Sequence, residues 1–262
     1  MLSGDLLFLI LADLLIQHLG DGNLRSTVGA LDDGFAHRHC LDGSIGIPMD
    51  DSGLVRSSFG SNNIHTMIVY LHGLSSAGSS HKATELRQRL APIPLFSPTY
   101  PAHLAQPAVE ALSREFTHWT ESTIAHKKPL LVVGSSMGGF YGQYLARRFP
   151  IDHLVMINPA LRPWDLLRQV VGWHYNEPLD QRYFLTTEMV EATRPYALEK
   201  VCDGVPTSLL LDQGDELIDW RIAADIYRDC GELYCFEGGN HAFEHLDEAV
   251  EILTRIYRGL QA

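Results

Sequence analysis

From residue 67 onward the chain alternates short, almost continuously apolar runs with helical patterns, and few folds accommodate that alternation. The runs are 67–71 (MIVYL), 93–97 (IPLFS), 130–134 (LLVVG), 153–158 (HLVMIN), 207–211 (TSLLL) and 232–236 (ELYCF). A strand exposed on one face would alternate apolar and polar residues, so runs without polar positions predict parallel strands covered on both faces. Helical patterns lie between them at 81–90, 106–126, 138–149, 220–229 and 244–258, bounded by Pro101, Pro107 and Pro150. Repeated β-α units of this kind predict an α/β fold with a doubly wound, mostly parallel sheet. Residues 161–203 interrupt the alternation with helical and aromatic content, as a small helical cap insertion would. The cap's Trp164, Trp173, Tyr175, Tyr183, Phe184 and Tyr196 are expected either to line an apolar pocket or to pack the cap onto the core.

Residues 1–66 have a different composition. They hold eight Asp and nine Gly but none of the chain's fourteen Glu, ten Tyr or four Trp. Residues 5–19 suit a helix that is apolar on nearly every side, and little element signal follows it. The expectation is an atypical N-terminal extension (disordered, regulatory, or an over-long reading frame whose natural start is Met67) followed by one domain at 67–262. His37, His39 and Cys40 lie in this stretch without a partner cluster at ligand spacing, so they read as loop residues and no metal is expected.

Charge removes several function classes. With 20 Lys and Arg against 32 Asp and Glu the formal charge is −12, which repels phosphate backbones and anionic lipid heads; no nucleic-acid partner is expected. The apolar run Leu6–Ile16 is interrupted by Asp13, is too short to span a bilayer, and lacks a basic flank for secretion, so no membrane insertion is expected. Cys40, Cys202, Cys230 and Cys235 read as free thiols of a reducing, cytoplasmic compartment.

Ligands of open α/β sheets collect at the carboxyl ends of strands, and four such ends carry chemistry. Strand 130–134 runs into Gly134-Ser135-Ser136-Met137-Gly138, a G-x-S-x-G turn between strand and helix. Its glycines have a steric reason, since a serine on so tight a turn brings two backbones together where a Cβ would clash. Strand 67–71 ends in His72-Gly73-Leu74, whose loop offers the Leu74 N–H as one oxyanion donor beside that of Met137, the residue after the nucleophile. Strand 207–211 leads to Asp212, Asp215 and Asp219. Asp215, just after Gly214, is the chosen acid; Asp219 remains an alternative and equally suits the N-cap of helix 220–229. Strand 232–236 ends in a glycine-rich loop with His241 as general base. His245, four residues on, would suggest a metal pair, but the chain lacks the HExxH pattern there. The order Ser136, Asp215, His241, each after a different strand, is that of the α/β-hydrolase fold, with no cofactor required.

The residues YLHGLSSAGSSHKATEL (70–86), GSSMGGFYGQYLA (134–146), NPALRPWDLL (158–167), QGDELIDWR (213–221) and EGGNHAF (237–243) resemble the YqiA-like esterases, small bacterial α/β-hydrolases. The resemblance spans residues 67–260 and implies Ser136 as nucleophile, Asp215 as acid and His241 as base. It gives Asn158-Pro159 and Arg162-Pro163 no catalytic role; they are expected to fix the chain's exit from its strand into the cap. The expected function is that of a carboxylesterase-type serine hydrolase acting on small acyl esters, of short chain, through an acyl-enzyme. An acyl thioesterase on the same triad and a catalytically silent interaction module are the alternatives.

Overall fold

The computed structural model describes residues 67–126, 128–201 and 203–261. The helix expected at 5–19, the 1–66 extension, and His37, His39, Cys40 and Cys202 lie outside the described residues.

Six parallel strands form one sheet in the order β2-β1-β3-β4-β7-β8. They are β1 (Met67–Leu71), β2 (Leu95–Phe96), β3 (Leu130–Ser135), β4 (His153–Ile157), β7 (Thr207–Asp212) and β8 (Gly231–Phe236). The central strands are apolar through their middles because both faces are covered, with polar residues only towards their ends, and alternate residues divide between two clusters. Val69, Leu71, Val132, Met156 and Leu209 share one cluster with residues of α2 (Ala105–His126), α3 (Met137–Leu145) and α6 (Trp220–Ile226). Ile68, Tyr70, Leu131, Val133, Val155 and Leu210 share the other with α1 (His81–Arg89) and α7 (Leu246–Gly259). Burying each such aliphatic side chain stabilises the fold by about 1.5–3 kcal/mol before chain entropy is charged against it.

The helices form where a single apolar stripe meets good end signals. In α7 the buried Leu246, Ala249, Ile252, Leu253 and Tyr257 recur at helical spacing, with Asp247 and Glu248 in the first turn and Arg258 in the last. The Ser80 hydroxyl caps α1 by accepting the Ala83 N–H.

Three expectations need correction. The strand expected at 93–97 shrinks to Leu95–Phe96, because β2 is an edge strand and Pro94 has no N–H to donate. The cap segment is also less helical than expected. Besides α4 (Pro163–Leu167) and α5 (Thr187–Glu191) it carries an antiparallel hairpin of β5 (Gly172–Asn176) and β6 (Gln181–Leu185). This hairpin escaped notice because its outward face is aromatic rather than polar. Trp173 is 73% exposed and pairs with Phe184, which blurs the alternation that marks a half-buried strand. Trp164, Tyr183 and Tyr196 pack against the core, whereas Trp173, Tyr175 and Phe184 are exposed.

The thiol expectation fails at Cys230, which is disulfide-bonded, whereas Cys235 is free. The argument for a reducing compartment loses that support. Among the described residues no helix is long and apolar enough to cross a membrane.

Candidate active site

All six strands point the same way, so their carboxyl ends deliver their loops to one edge. At the end of β3 the chain turns into α3 through Ser136, which stands at φ 54°, ψ −119°, a region a non-glycine residue rarely occupies. The flanking glycines permit this turn for steric reasons. A Cβ on Gly134 would come within 2.4 Å of the Gly138 carbonyl oxygen, and one on Gly138 within 2.0 Å of that of Leu71. Neither position has room for any other residue.

His241 lies with Nε2 3.2 Å from Ser136 Oγ and Nδ1 2.9 Å from Asp215 Oδ2. As a carboxylate can only accept, Nδ1 carries the proton and Nε2 is left to accept from the serine hydroxyl. Asp215 is itself held by the Leu217 and Ile218 N–H groups, which donate to its Oδ1 at 2.9 and 2.8 Å, and its side chain is 1% exposed. Asp219, the alternative acid, instead caps α6 by accepting the Arg221 N–H and pairs with the Arg221 guanidinium. The structure thus brings Ser136, His241 and Asp215 together and leaves Asp219 apart.

Met137 is the first residue of α3, where an N–H has no carbonyl of its own helix to bond. Gly73 carries the loop of Leu74 close to the serine; a Cβ at Gly73 would stand 3.1 Å from Ser136 Cβ. His72 just before it is fully buried. Its Nδ1–H donates to the Gly73 carbonyl at 2.9 Å and its Nε2 accepts the Tyr100 N–H at 3.3 Å. Burial pushes its pKa down to about 4, which keeps it neutral with its ring stacked on Tyr100.

A second acid–imidazole pair supports the first, and sequence reasoning missed it. Asp212, with no exposed surface, accepts from His245 Nδ1 at 2.7 Å through Oδ1 and from the Asn240 and Glu244 N–H groups at 3.2 and 2.9 Å through Oδ2. Asn158, at φ 41°, completes the tie. Its Oδ1 accepts the Asp212 N–H at 2.9 Å and its Nδ2 donates to the Asn240 carbonyl at 3.0 Å. The ends of β4 and β7 therefore grip the loop that carries His241 from both sides. His245 is committed to this carboxylate, and among the described residues no group of three or more His, Cys, Asp or Glu could hold a metal ion. The one available signal was Asp212 directly after the apolar run Leu209–Leu211, a position where a solvated loop acid reads the same. Beyond Pro159 the Ala160 N–H donates to the Ser136 carbonyl at 3.1 Å, and Pro163 is the first residue of α4.

Solved structures share this fold. An Agrobacterium vitis S4 protein named provisionally as a hydrolase superposes with a TM-score of 0.60 at 17% identity, over 74% of this chain and 88% of that one. Est1E from Butyrivibrio proteoclasticus, solved with ferulic acid bound, gives 0.57 at 14% identity over 76% and 90%. A monoacylglycerol lipase from Paleococcus ferrophilus gives 0.55 at 14% identity over 75% and 96%. The sheet of this chain is therefore that of the α/β-hydrolases. The match that speaks to descent lies in the sequence: the uncharacterised protein family UPF0227 covers residues 67–257, and the chain belongs to that family, the YqiA family.

Proposed function

We propose that the chain is a serine hydrolase that cleaves carboxylic esters through an acyl-enzyme. The observation that carries this reading is the continuous relay from Asp215 through His241 to a serine on a strained turn. His241 Nε2 takes the Ser136 proton as Oγ attacks the ester carbonyl, and Asp215 holds the imidazole in the required tautomer and stabilises its charged form. The oxyanion is received by the N–H groups of Met137 and Leu74, the first of which points out of a helix start. The imidazolium then returns its proton to the departing alcohol, and water, activated by the same imidazole, releases the acid. The Est1E and monoacylglycerol lipase structures bring ester chemistry to the same fold and so support this reading.

The test is covalent. A fluorophosphonate probe is expected to add one equivalent to the intact protein, on the peptide containing Ser136. Ser136→Ala is expected to abolish labelling and lower ester turnover by roughly four to six orders of magnitude with an unchanged unfolding curve. Undiminished turnover by that variant would remove the serine from the mechanism. A well-folded wild type that resists the probe would make the fold an interaction module.

A further inference from the structure

The β5–β6 hairpin of the cap reaches the loop that carries the Leu74 N–H, and it does so where that loop is strained. Strand register divides the hairpin's side chains between two faces. His174 pairs with Tyr183 and Asn176 with Gln181, so these four share one face, while Trp173–Phe184 and Tyr175–Arg182 alternate to the other. From the first face the Tyr183 hydroxyl and Ser75 Oγ share a hydrogen bond of 2.7 Å, and Asn176 Nδ2 donates to the Ser76 carbonyl at 3.0 Å. Two successive loop residues are thus held from the cap.

Tyr183 is a rigid anchor. The His103 and His174 rings both stack on it, at centroid separations of 3.9 and 5.3 Å. His174 is itself fixed by donating its Nε2–H to the Val170 carbonyl at 2.8 Å. The ring is therefore placed by contacts that do not involve its hydroxyl.

Ser75 is the residue that needs an anchor. It stands at φ 50°, in the left-handed region where a non-glycine residue is strained. Freed, it would relax towards negative φ and turn the peptide that joins it to Leu74. The other side of Leu74 has its own tie, because the Gly73 carbonyl accepts His72 Nδ1–H at 2.9 Å. In a planar trans peptide that carbonyl and the Leu74 N–H point opposite ways, so this bond sets the direction of the N–H. One bond still leaves the peptide free to swing about it, and the second anchor, at Ser75, removes that freedom. Gly73 packs on Ser136, where its Cβ would stand 3.1 Å from Ser136 Cβ, so a small swing here alters what the serine faces.

Resting on the serine-hydrolase reading, we infer that Tyr183 is a positioning residue: through Ser75 it holds the Leu74 N–H on the developing oxyanion. The cap then contributes to the chemical step itself. An oxyanion donor works by being aimed at the tetrahedral oxygen and not at the ground-state carbonyl, so the effect belongs to kcat.

Tyr183→Phe tests this, since it removes the hydroxyl and keeps the stacked ring. With p-nitrophenyl butyrate its kcat is expected to fall about tenfold, less than the roughly hundred- to thousandfold that loss of a whole oxyanion donor costs, while KM stays within about twofold. An alkyl trifluoromethyl ketone accepts Ser136 Oγ at its carbonyl carbon to give a hemiketal oxyanion, the serine proton passing to His241. Its affinity is expected to fall by the same factor as kcat/KM, whereas the pH dependence of kcat/KM, set by His241, stays that of wild type. Ser75→Ala is expected to give the same loss, and the double variant no more than either alone. Trp173→Ala, on the hairpin's exposed face, is expected to leave kcat unchanged. Wild-type kcat in Tyr183→Phe, a loss confined to KM, a ketone affinity that does not follow kcat/KM, a shifted pH dependence, additive losses, or an equal loss in Trp173→Ala overturns the inference. Fluorophosphonate labelling of wild type separates the two levels. Normal labelling with any of those outcomes removes the positioning role alone, whereas a wild type that neither labels nor hydrolyses the ester removes the hydrolase reading and this inference with it.

Discussion

At the scale of single residues, the environment of His72 has a measurable consequence. The imidazole is fully buried, stacked on Tyr100, and uses its unprotonated Nε2 as an acceptor, so a second proton would break the Tyr100 N–H bond and bury a charge. Its folded pKa near 4 lies below the ordinary 6.5. Between those values the unfolded chain binds more protons, so stability rises with pH through that window and is lost as pH falls through it. The loss attributable to this residue is about 3 kcal/mol between pH 7 and pH 4. Urea unfolding of wild type and His72→Gln across that range is expected to show a shallower pH slope for the variant, which keeps an acceptor but does not titrate. Equal slopes would mean that the imidazole does not stay neutral in the fold. Because this ring sits next to Gly73, the same titration bears on the loop that approaches Ser136.

At the scale of elements, the site depends on how three loops are tied together. The end of β7 and the loop after it contribute both acids: Asp212, the last residue of the strand, faces His245 and the 240–244 backbone, and three residues later Asp215 faces His241. Asn158 at the end of β4 locks onto the same loop. Asp212→Ala leaves His245 and two N–H groups without their acceptor and frees the loop that carries His241. A displacement of about 1 Å at a catalytic group costs roughly a hundredfold, so kcat for ester hydrolysis is expected to fall 10- to 100-fold. The rate of fluorophosphonate labelling is expected to fall in parallel, since both reactions need the imidazole in place. Retention of both rates would assign Asp212 to loop stability alone. Sequence reading left Asp215 and Asp219 both open as the acid, and it had no means of seeing Asp212 as a partner of His245. A buried carboxylate and a solvated one have the same letter, and only the loop folding back over the strand end excludes water from the first.

At the scale of the whole molecule, the candidate site residues stand at the strand ends of one six-stranded sheet whose two faces are each covered by an apolar cluster. A protein of residues 67–262 is therefore expected to unfold in one cooperative transition and to keep the ester hydrolysis and labelling of the full chain; insolubility or loss of activity would show that residues 1–66 contribute to the domain. The covered parallel sheet was legible in the sequence because strands buried on both faces must be apolar throughout, a property written in consecutive residues. The serine turn was legible for a similar local reason: two glycines four apart are required wherever strand and helix backbones touch, as Gly134 and Gly138 do. Tertiary structure alone decided the rest. It chose Asp215 over Asp219 by the approach of a loop from 26 residues away, and it made Asp212 and Asn158 into anchors by closing that loop over them. It also turned Trp173, Tyr175 and Phe184 outward and set His174, Asn176 and Tyr183 on the opposite face, because the facing of a hairpin follows from register, and register follows from what the hairpin packs against.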